Sequence, residues 1–354
     1  MPSIEELLTL LVERRGSDLH IAANSPPRIR VDGKLIETEY EPLSGEDTQK
    51  IIYGLLDEAQ ISRFEREKEL DFSFGIEGLG RFRCNVLYQR GYVGSVFRVI
   101  PERIKTFSEL GLPQDVCEYL CSLPKGLILV TGATGSGKST TLAAMIDYIN
   151  STEYGHILTV EDPIEFVHQN KKCLVNQREV GSDTTDFKMA LREALRQDPD
   201  VVLIGEMRDL ETIEAALTIS ETGHLTFGTL HTSDVVQTIN RIVDVFPAHQ
   251  QQQIRTQLSF TLQGVFCQQL LVRASGKGRV LAAEIMIATP AIRSLIRENK
   301  IHQIYSIVQT SGKLGMKTMN QSLFELAKNG AITKETALEH SSDPEELKKL
   351  FLGI

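Results

Sequence analysis

Residues 132 to 140 read GATGSGKST, and their surroundings restrict the possible folds more than any other stretch of the chain. The apolar run GLILV comes shortly before them, and apolar side chains recur at helical spacing after them, at Leu142, Met145, Ile146 and Ile149. A strand, a glycine-rich turn and a helix in this order are typical of a phosphate-binding loop, whose anion lies at the amino end of the helix. A chance match in a glycine-rich turn would require neither flanking element.

The residue types of this loop match the chemistry of a nucleoside triphosphate. Glycines let backbone amides turn toward phosphate oxygens, Lys138 supplies a positive charge to the terminal phosphates, and the Ser139 hydroxyl can ligate Mg²⁺. The sequence therefore predicts ATP and Mg²⁺ as ligands, with Ser139 as the metal ligand. The predicted nucleotide-binding residues of the loop are Gly132, Ala133, Thr134, Gly135, Ser136, Gly137, Lys138, Ser139 and Thr140.

Two patterns of apolar residues divide the chain. Short apolar strands alternate with longer helical stretches at GLILVTG, HILTVED, DVVLIGE and HLTFGTLH, which is typical of a mostly parallel sheet with helices on its faces. Before residue 101, alternating strands with glycine turns predict an antiparallel sheet in a small α+β domain, with a hairpin at Asp32-Gly33. The sequence thus predicts an N-terminal domain at 1–101, a linker at 102–108, an α/β core at 109–289 and a helical C-terminal region at 290–354.

Composition and charge exclude several classes of protein. The net charge of -9 argues against a chain that mainly grips a nucleic-acid backbone. The five cysteines form no CxxC pair, so neither a disulfide framework nor a tetrathiolate zinc site is expected. No apolar run approaches the ~18 to 20 residues of a membrane span, and the N-terminal stretch is typical of an amphipathic helix. We therefore expect a cytosolic protein that reaches a membrane only through a partner.

Hydrolysis of a bound triphosphate needs a carboxylate near the attacking water, and two strand ends offer candidates. DVVLIGEMRD places Glu206 just past a strand, as a general base or a water-orienting residue. VEDPIEFVH places Glu161, Asp162 and Glu165 after the preceding strand, where they either complete the shell of Mg²⁺ and water or begin a turn. Because both strands are predicted to end on the loop's side of the sheet, we expect Glu206 and Glu161 to be catalytic.

The stretch TGHLTFGTLHTSD places a histidine at each end of one buried strand. His231 lies at the carboxyl end, where the ligands of parallel sheets collect, and is a candidate sensor of the terminal phosphate. His224 lies at the amino end, where it is less well placed, and is a further candidate for nucleotide binding. A hydrogen-bonded core histidine is the alternative for both.

A pair of arginines in the N-terminal domain faces across a predicted hairpin. If Arg90-Gly91 forms a two-residue turn, residues whose numbers sum to 181 are opposite each other, which makes one face consistently apolar. On the other face Arg83 lies opposite Arg98, with Arg81 close by. Like charges directly opposed on a sheet destabilise it, so a bound anion would stabilise this arrangement. The arginines are either held apart by water or serve a nucleotide on a neighbouring subunit as arginine fingers.

A second arginine pair, Arg192 and Arg196 in LREALRQDPD, is spaced about one helical turn apart. It points either at the same contact between subunits or at solvent, and the sequence leaves both open.

Together these motifs resemble a known family. GATGSGKST, VEDPIEFVH, VVLIGEMRDLET and TGHLTFGTLHT are similar to the Walker A motif, Asp box, Walker B motif and His box of the type II/IV secretion ATPase superfamily. The resemblance extends from GSDLHI at 16–21 to PEEL at 344–347. Gly205-Glu206 replaces the usual Walker B aspartate, which departs from generic P-loop enzymes and matches this family.

Two features favour the PilT-like branch of pilus retraction ATPases. Secretion and pilus-extension ATPases usually carry a tetracysteine zinc insert, whereas LLVRASGKGRVLAAEIM at 270–286 contains no cysteine. AIRSLIREN at 291–299 resembles the AIRNLIRE motif of retraction ATPases, with Ser294 in place of asparagine. Taken as residues alone, this stretch is also compatible with an ordinary amphipathic helix.

The resemblance implies an α/β fold with a RecA-like P-loop ATPase core, a PAS-like α+β N-terminal domain and a helical C-terminal segment. It implies a cytoplasmic homohexamer that retracts type IV pili against an inner-membrane platform protein, with Arg83 and Arg98 closing the interface between subunits. It also implies that Glu206 activates water with help from Glu161, and that His231 reads the terminal phosphate. Three alternatives stay open: a pilus-extension or secretion ATPase, a DNA-transfer ATPase, and a nucleotide-dependent scaffold without useful turnover.

Overall fold

The computed structural model describes residues 2–31, 33–100 and 103–353. These residues form two compact units. The first unit comprises the chain up to Arg103 together with Pro163–Phe166, and the second comprises Ile104–Asp162 together with Val167 onward. The predicted break at Pro101 lies outside the described residues.

The described residues of the first unit form a six-stranded antiparallel sheet and helices. Its helices are α1 (Ile4–Glu13), α2 (Gly45–Tyr53) and α3 (Glu58–Glu67). Each begins with a capping box, because the side chain of Ser3, Ser44 or Asp57 accepts a hydrogen bond from the first helical turn. Its strands are β1 (Asp18–Ile21), β2 (Arg28–Val31), β3 (Lys34–Glu37), β4 (Glu69–Ile76), β5 (Gly80–Gln89) and β6 (Tyr92–Ile100), in the spatial order β3-β2-β1-β6-β5-β4.

Both predicted hairpins of this unit are confirmed. Strands β2 and β3 pair around residues 32–33, although Asp32 itself lies outside the described residues. Strands β5 and β6 pair around Arg90-Gly91, whose φ angles of 52° and 85° suit a two-residue turn. The register puts Arg83 opposite Arg98 on one face and leaves the other face in the hydrophobic core.

The second unit contains a mostly parallel seven-stranded sheet, as the sequence predicted. The neighbours in this sheet pair parallel except at the edge, where the last two strands form an antiparallel hairpin. Its strands are β7 (Gly126–Thr131), β8 (His156–Glu161), β9 (Leu174–Glu179), β10 (Val201–Ile204), β11 (Leu225–Leu230), β12 (Leu262–Val272) and β13 (Arg279–Ile287), in the spatial order β13-β12-β7-β11-β10-β8-β9.

Helices cover this sheet, and the predicted fold class is confirmed. The helix α4 begins within the stretch predicted as a linker, 102–108. The helices around the sheet are α4 (Phe107–Leu110), α5 (Gln114–Cys121), α6 (Lys138–Thr152), α7 (Phe187–Ala194), α8 (Leu210–Glu221), α9 (Val235–Asp244) and α10 (Gln251–Thr261). Those of the C-terminal region are α11 (Pro290–Arg297), α12 (Ile304–Thr310), α13 (Met319–Lys328), α14 (Lys334–Glu339) and α15 (Pro344–Leu352), with 3-10 turns at Ile301–Gln303 and Gly312–Leu314.

The order of the central strands determines where a ligand can bind. Strands β7, β11 and β10 are buried along their whole length because helices pack on both faces. Parallel strands of this kind expose their carboxyl ends at one edge, and the loops that follow them meet there. Among the described residues, no helix is both long and apolar enough to span a membrane. All five cysteines are free and buried.

Candidate nucleotide site

The GATGSGKST loop connects the carboxyl end of β7 to the amino end of α6. Gly132 has a φ of 142°, and a Cβ atom there would lie 2.4 Å from the carbonyl oxygen of Gln268 and 2.5 Å from Ser136 Oγ. Gly135 and Gly137 also have positive φ angles, of 79° and 95°. The tight turn at 132 therefore requires glycine both for its backbone angle and for the close approach of β12.

Two polar groups of the loop are suited to hold phosphate. Lys138 Nζ donates hydrogen bonds to the carbonyl oxygens of Gly132 and Ala133, at 2.9 and 3.1 Å, so the loop is wrapped around its own lysine. The Ser136 hydroxyl is buried and has no hydrogen-bond partner among the residues that the structure describes. A buried donor without a partner is unfavourable, and a phosphate oxygen in the loop would satisfy it. The loop thus fits the predicted nucleotide.

Glu206 lies just past the end of β10 and interacts with two side chains. Arg208 Nη2 donates to one carboxylate oxygen at 2.6 Å, and His231 Nε2 lies 3.1 Å from the other. The hydrogen bond from Arg208 lowers the pKa of Glu206; burial opposes this shift, and the charges of Arg208 and Lys138 reinforce it. A carboxylate held ionised in this way is a weak base and a strong hydrogen-bond acceptor, which suits a water-orienting role better than proton abstraction.

Glu161 ends the neighbouring strand β8 beside the backbone of Gly205, the residue before Glu206. It is 9% exposed, and its carboxylate accepts hydrogen bonds from Thr159 Oγ1 at 2.7 Å and Gln177 Nε2 at 3.2 Å. A Cβ at Gly205 would lie 3.2 Å from Glu161 Cα, so glycine lets the two strand ends approach closely. The two carboxylates therefore follow adjacent strands at the loop's edge of the sheet. Of the other candidates in this motif, Asp162 is exposed and Glu165 belongs to the first unit.

The two histidines occupy opposite edges of the sheet. His231 follows β11 on the loop's side and lies against Glu206, as described above. His224 precedes the same strand, and its carbonyl oxygen accepts from the amide of Gly126, which is the start of β7. Its Nδ1 lies 3.0 Å from the carbonyl oxygen of Ile219. The length of β11 separates His224 from the carboxyl ends of the strands, where the loop lies, and nucleotide binding by His224 stays a prediction.

In the first unit, the arginine face contains a residue that sequence reasoning missed. Asp18 of β1 lies directly opposite Arg98 on β6 and opposite Arg30 on β2. Its buried carboxylate accepts from Arg98 Nε at 2.8 Å and lies 3.6 Å from Arg30 Nε. Arg83 lies 3.7 Å from the exposed Asp71. Arg30, Arg83 and Arg98 thus outnumber the two carboxylates that they contact, Asp18 and Asp71, in keeping with the predicted anion.

Replacing Asp18 with asparagine should destabilise the first unit by about 1 to 2 kcal/mol. This is less than for a fully buried pair because the Arg98 side chain is 66% exposed. Burial raises the pKa of Asp18, but hydrogen bonds from Ser17 and Arg98 outweigh it, so the pKa lies below its ordinary value. The contribution should therefore be complete above about pH 4 and disappear as the pH falls below it. Urea unfolding at pH 7 and pH 3 measures both the loss of stability and its pH dependence. Asp71→Asn is the matched control, with an expected loss of unfolding free energy below about 0.5 kcal/mol.

The other candidate arginines, Arg81, Arg192 and Arg196, each interact with a neighbouring side chain. Arg81 Nη2 donates to Ser73 Oγ at 2.6 Å. Arg192 and Arg196 are both exposed, and each lies within ion-pair distance of Glu193, at 3.7 and 3.1 Å. Exposed pairs of this kind contribute little to stability, so they leave both arginines available at the surface.

The AIRSLIREN segment forms α11 and is tied to its surroundings by one arginine. Arg293 donates to the carbonyl oxygens of Ala288, Ser259 and Phe260 and to Gln263 Oε1, at 2.8 to 3.0 Å. Ser259 and Phe260 belong to the last turn of α10, whose carbonyls have no partner within the helix. Arg293 is therefore a structural clamp between α10 and α11, whereas the motif's second arginine lies over the exposed ring of Phe260.

A phosphate loop with a carboxylate and a histidine at neighbouring strand ends defines a P-loop nucleotide-binding protein. Residues 2–338 match the family model described as type II/IV secretion system protein. The chain is 53% identical over 342 residues to "Type IV pilus retractation ATPase PilT" of Pseudomonas aeruginosa, covering 97% of this chain and 99% of that one. It is 48% identical to "Twitching motility protein" of Neisseria gonorrhoeae, covering 91% and 86%.

A solved structure agrees with these sequence comparisons. The crystal structure of the pilus retraction motor PilT with bound ADP aligns with a TM-score of 0.93 at 53% identity, covering 99% of this chain and 100% of that one. The chain therefore belongs to the type II/IV secretion system protein family, and within it to the PilT-like branch of pilus retraction ATPases.

Proposed function

We propose that this protein is an ATP-hydrolysing motor that drives the retraction of type IV pili. The observation that carries the proposal is its 53% identity, over nearly the whole length of both chains, to a protein described as a pilus retraction ATPase. The presence of AIRSLIREN at α11 supports the retraction branch rather than the extension branch. Twitching motility is the cellular behaviour that this activity would serve.

The phosphate loop of the second unit binds ATP in this proposal. Lys138 exchanges the carbonyl oxygens of Gly132 and Ala133 for the terminal phosphates, and the Ser136 hydroxyl gains a partner. The amides from 132 to 140 surround the phosphates at the start of α6, where the helix dipole favours an anion. Ser139 would hold Mg²⁺, which neutralises phosphate charge when bound.

Hydrolysis then depends on how the attacking water is held. Glu206 orients the water as an acceptor, and its pairing with Arg208 keeps it ionised for that purpose. His231 shares the Glu206 carboxylate and reads the terminal phosphate, so the two residues respond together to the presence of that phosphate. Glu161 supports the arrangement from the adjacent strand.

The working assembly is a homohexamer in which each nucleotide lies between two subunits. The domain at 1–101 of one subunit would meet the core at 109–289 of the next, with 102–108 as the linker between the two domains of each chain. Arg83 and Arg98, with Arg81 beside them, would approach the nucleotide of the neighbour as arginine fingers. Release of phosphate removes their partner and reopens the interface, which converts hydrolysis into rigid-body motion.

The motor would act at the inner face of the cytoplasmic membrane through the pilus machinery. Its proposed partner is the inner-membrane platform protein. The C-terminal region at 290–354 would be needed for retraction but not for ATP hydrolysis itself. Nucleic acid is not an expected partner, given the net charge of -9.

Surface pilin and surface motility in cells with and without this gene test the proposal. Loss of the gene should increase surface pili and abolish twitching, because fibres then form without being withdrawn. Bald cells would instead indicate an extension motor. Unchanged pili would indicate secretion or DNA transfer, and either result would overturn the proposal.

A further inference from the structure

Glu284 is a buried carboxylate that the proposed reaction does not use. It lies in β13 opposite Cys267 of β12 and is 5% exposed. Within the described part of the chain, no lysine or arginine lies within ion-pair distance of it. Burying an ionisable group without a cation is costly, so such a residue needs other positive partners.

Those partners are the amino ends of two helices. Glu284 Oε1 accepts from the amide of Val235 at 2.8 Å, and Oε2 accepts from the amide of Met319 at 3.4 Å. Val235 is the first residue of α9, and Met319 is the first residue of α13. Amides at a helix start have no partner within the helix and carry its positive dipole end. One carboxylate therefore holds two helix starts together.

The first of these helices, α9, begins a few residues after His231. Only residues 232–234 separate His231 from α9, and they are bound to its first turn: Thr232 Oγ1 lies 2.6 Å from Thr238 Oγ1, and Ser233 Oγ donates to Gln237 Oε1 at 3.1 Å. A shift of the start of α9 would consequently move His231 relative to Glu206.

The second helix belongs to the C-terminal region. Asn320, next to Met319, donates to Glu346 of the PEEL segment, and Glu346 also accepts from Tyr305 and Gln309. This carboxylate thus joins α12, α13 and α15 into one polar cluster. Glu284 therefore contacts both α13, which belongs to this cluster, and the start of α9, which follows His231.

We propose that Glu284 is a positioning residue that holds His231 in place for hydrolysis by joining the start of α9 to the start of α13. The proposal rests on the function proposed above for His231. In this proposal the position of His231 depends on the C-terminal helices. A movement of those helices would therefore change the position of His231 at the hydrolysis site.

The charge state of Glu284 offers a way to separate positioning from simple stabilisation. Burial raises the pKa of Glu284 to about 7, the amides of Val235 and Met319 oppose this shift, and the charge of Asp234 adds to it. The titratable groups that face it are Asp234 just before α9, Cys267 from β12 and Tyr305 from α12. Because the folded state holds the proton more tightly than the unfolded chain, the wild-type protein loses stability as the pH rises from about 4.5 to about 7.

The test compares E284Q with E325Q, a control in α13, the helix whose first amide donates to Glu284. The Glu325 side chain is half-exposed and pairs with Lys317. The E284Q amide presents N–H groups to one of the two helix starts, so we expect kcat to fall by about 10- to 100-fold while KM for ATP changes less than about twofold. In a His231→Ala background, E284Q should cause no further loss of kcat. Relative to the wild type, E284Q should become more stable as the pH rises toward 7.5. A variant that is slower without being less stable has lost positioning.

The proposal is overturned if E284Q turns over like the wild type, or if it loses the same factor of kcat with and without His231. Hydrogen exchange without nucleotide provides a readout that needs no turnover: E284Q should increase exchange at residues 231–238, and E325Q should not. If the wild type hydrolyses no ATP, the proposed function fails, and unchanged exchange at 231–238 would separately overturn the role of Glu284.

Discussion

Replacing Glu206 with glutamine should lower the steady-state rate of ATP hydrolysis by about 10²- to 10³-fold while leaving ATP affinity within a factor of about three. Glutamine keeps the size of the side chain but loses the charge that Arg208 and His231 contact at 2.6 and 3.1 Å. One of its terminal atoms becomes a donor, so it orients the attacking water poorly. Phosphate release at saturating ATP measures the rate, and a fluorescent nucleotide measures the affinity.

Glu211→Gln is the matched control for this variant. Glu211 lies in the first turn of α8, its side chain is 49% exposed, and it lies 3.8 Å from Lys188. The Glu211→Gln variant should hydrolyse ATP at the wild-type rate. If Glu206→Gln keeps more than half of the wild-type rate, Glu206 does not hold the water, and Glu161 becomes the leading candidate.

Replacing Gly132 with alanine should weaken ATP binding by about 5- to 150-fold, which corresponds to about 1 to 3 kcal/mol. The added Cβ would lie 2.4 Å from a backbone carbonyl of β12, which cannot rotate away, and 2.5 Å from Ser136 Oγ. The loop must shift to accommodate it, and Ser136 and the loop amides then leave their positions for phosphate. Isothermal titration with ATP measures the effect.

Gly223→Ala provides the control for backbone strain alone. Gly223 has a φ of 114°, no atom lies within 4 Å of the position of its added Cβ, and it precedes β11 at the opposite edge of the sheet. Both variants should lose some stability, but only Gly132→Ala should lose affinity. Wild-type affinity in Gly132→Ala would mean that the loop tolerates the shift and that its geometry does not select for glycine.

The features that the sequence predicted best depend on residues close together in the chain. The loop, its strand and its helix lie within residues 126–152, and the pairing of Arg83 with Arg98 follows from a two-residue turn between two strands. In such cases local spacing determines which residues are neighbours. The parallel sheet likewise follows from alternating short segments.

The features that the sequence did not predict depend on contacts between distant segments. Asp18 meets Arg98 across 80 positions because β1 pairs with β6, and Glu284 meets Val235 across 49. Arg208 is near Glu206 in the chain, but the strand pattern does not say that its side chain turns back toward that carboxylate. His224 was correctly placed at the amino end of its strand, and its binding of nucleotide stays a prediction.

The most direct test of the central claim is to follow labelled pili on living cells lacking this gene, complemented with the wild-type protein, Glu206→Gln or Glu211→Gln. The wild type and Glu211→Gln should restore shortening of individual fibres, and Glu206→Gln should leave fibres that lengthen but do not shorten. Shortening at the wild-type rate with Glu206→Gln would contradict the claim that ATP hydrolysis by this chain drives retraction.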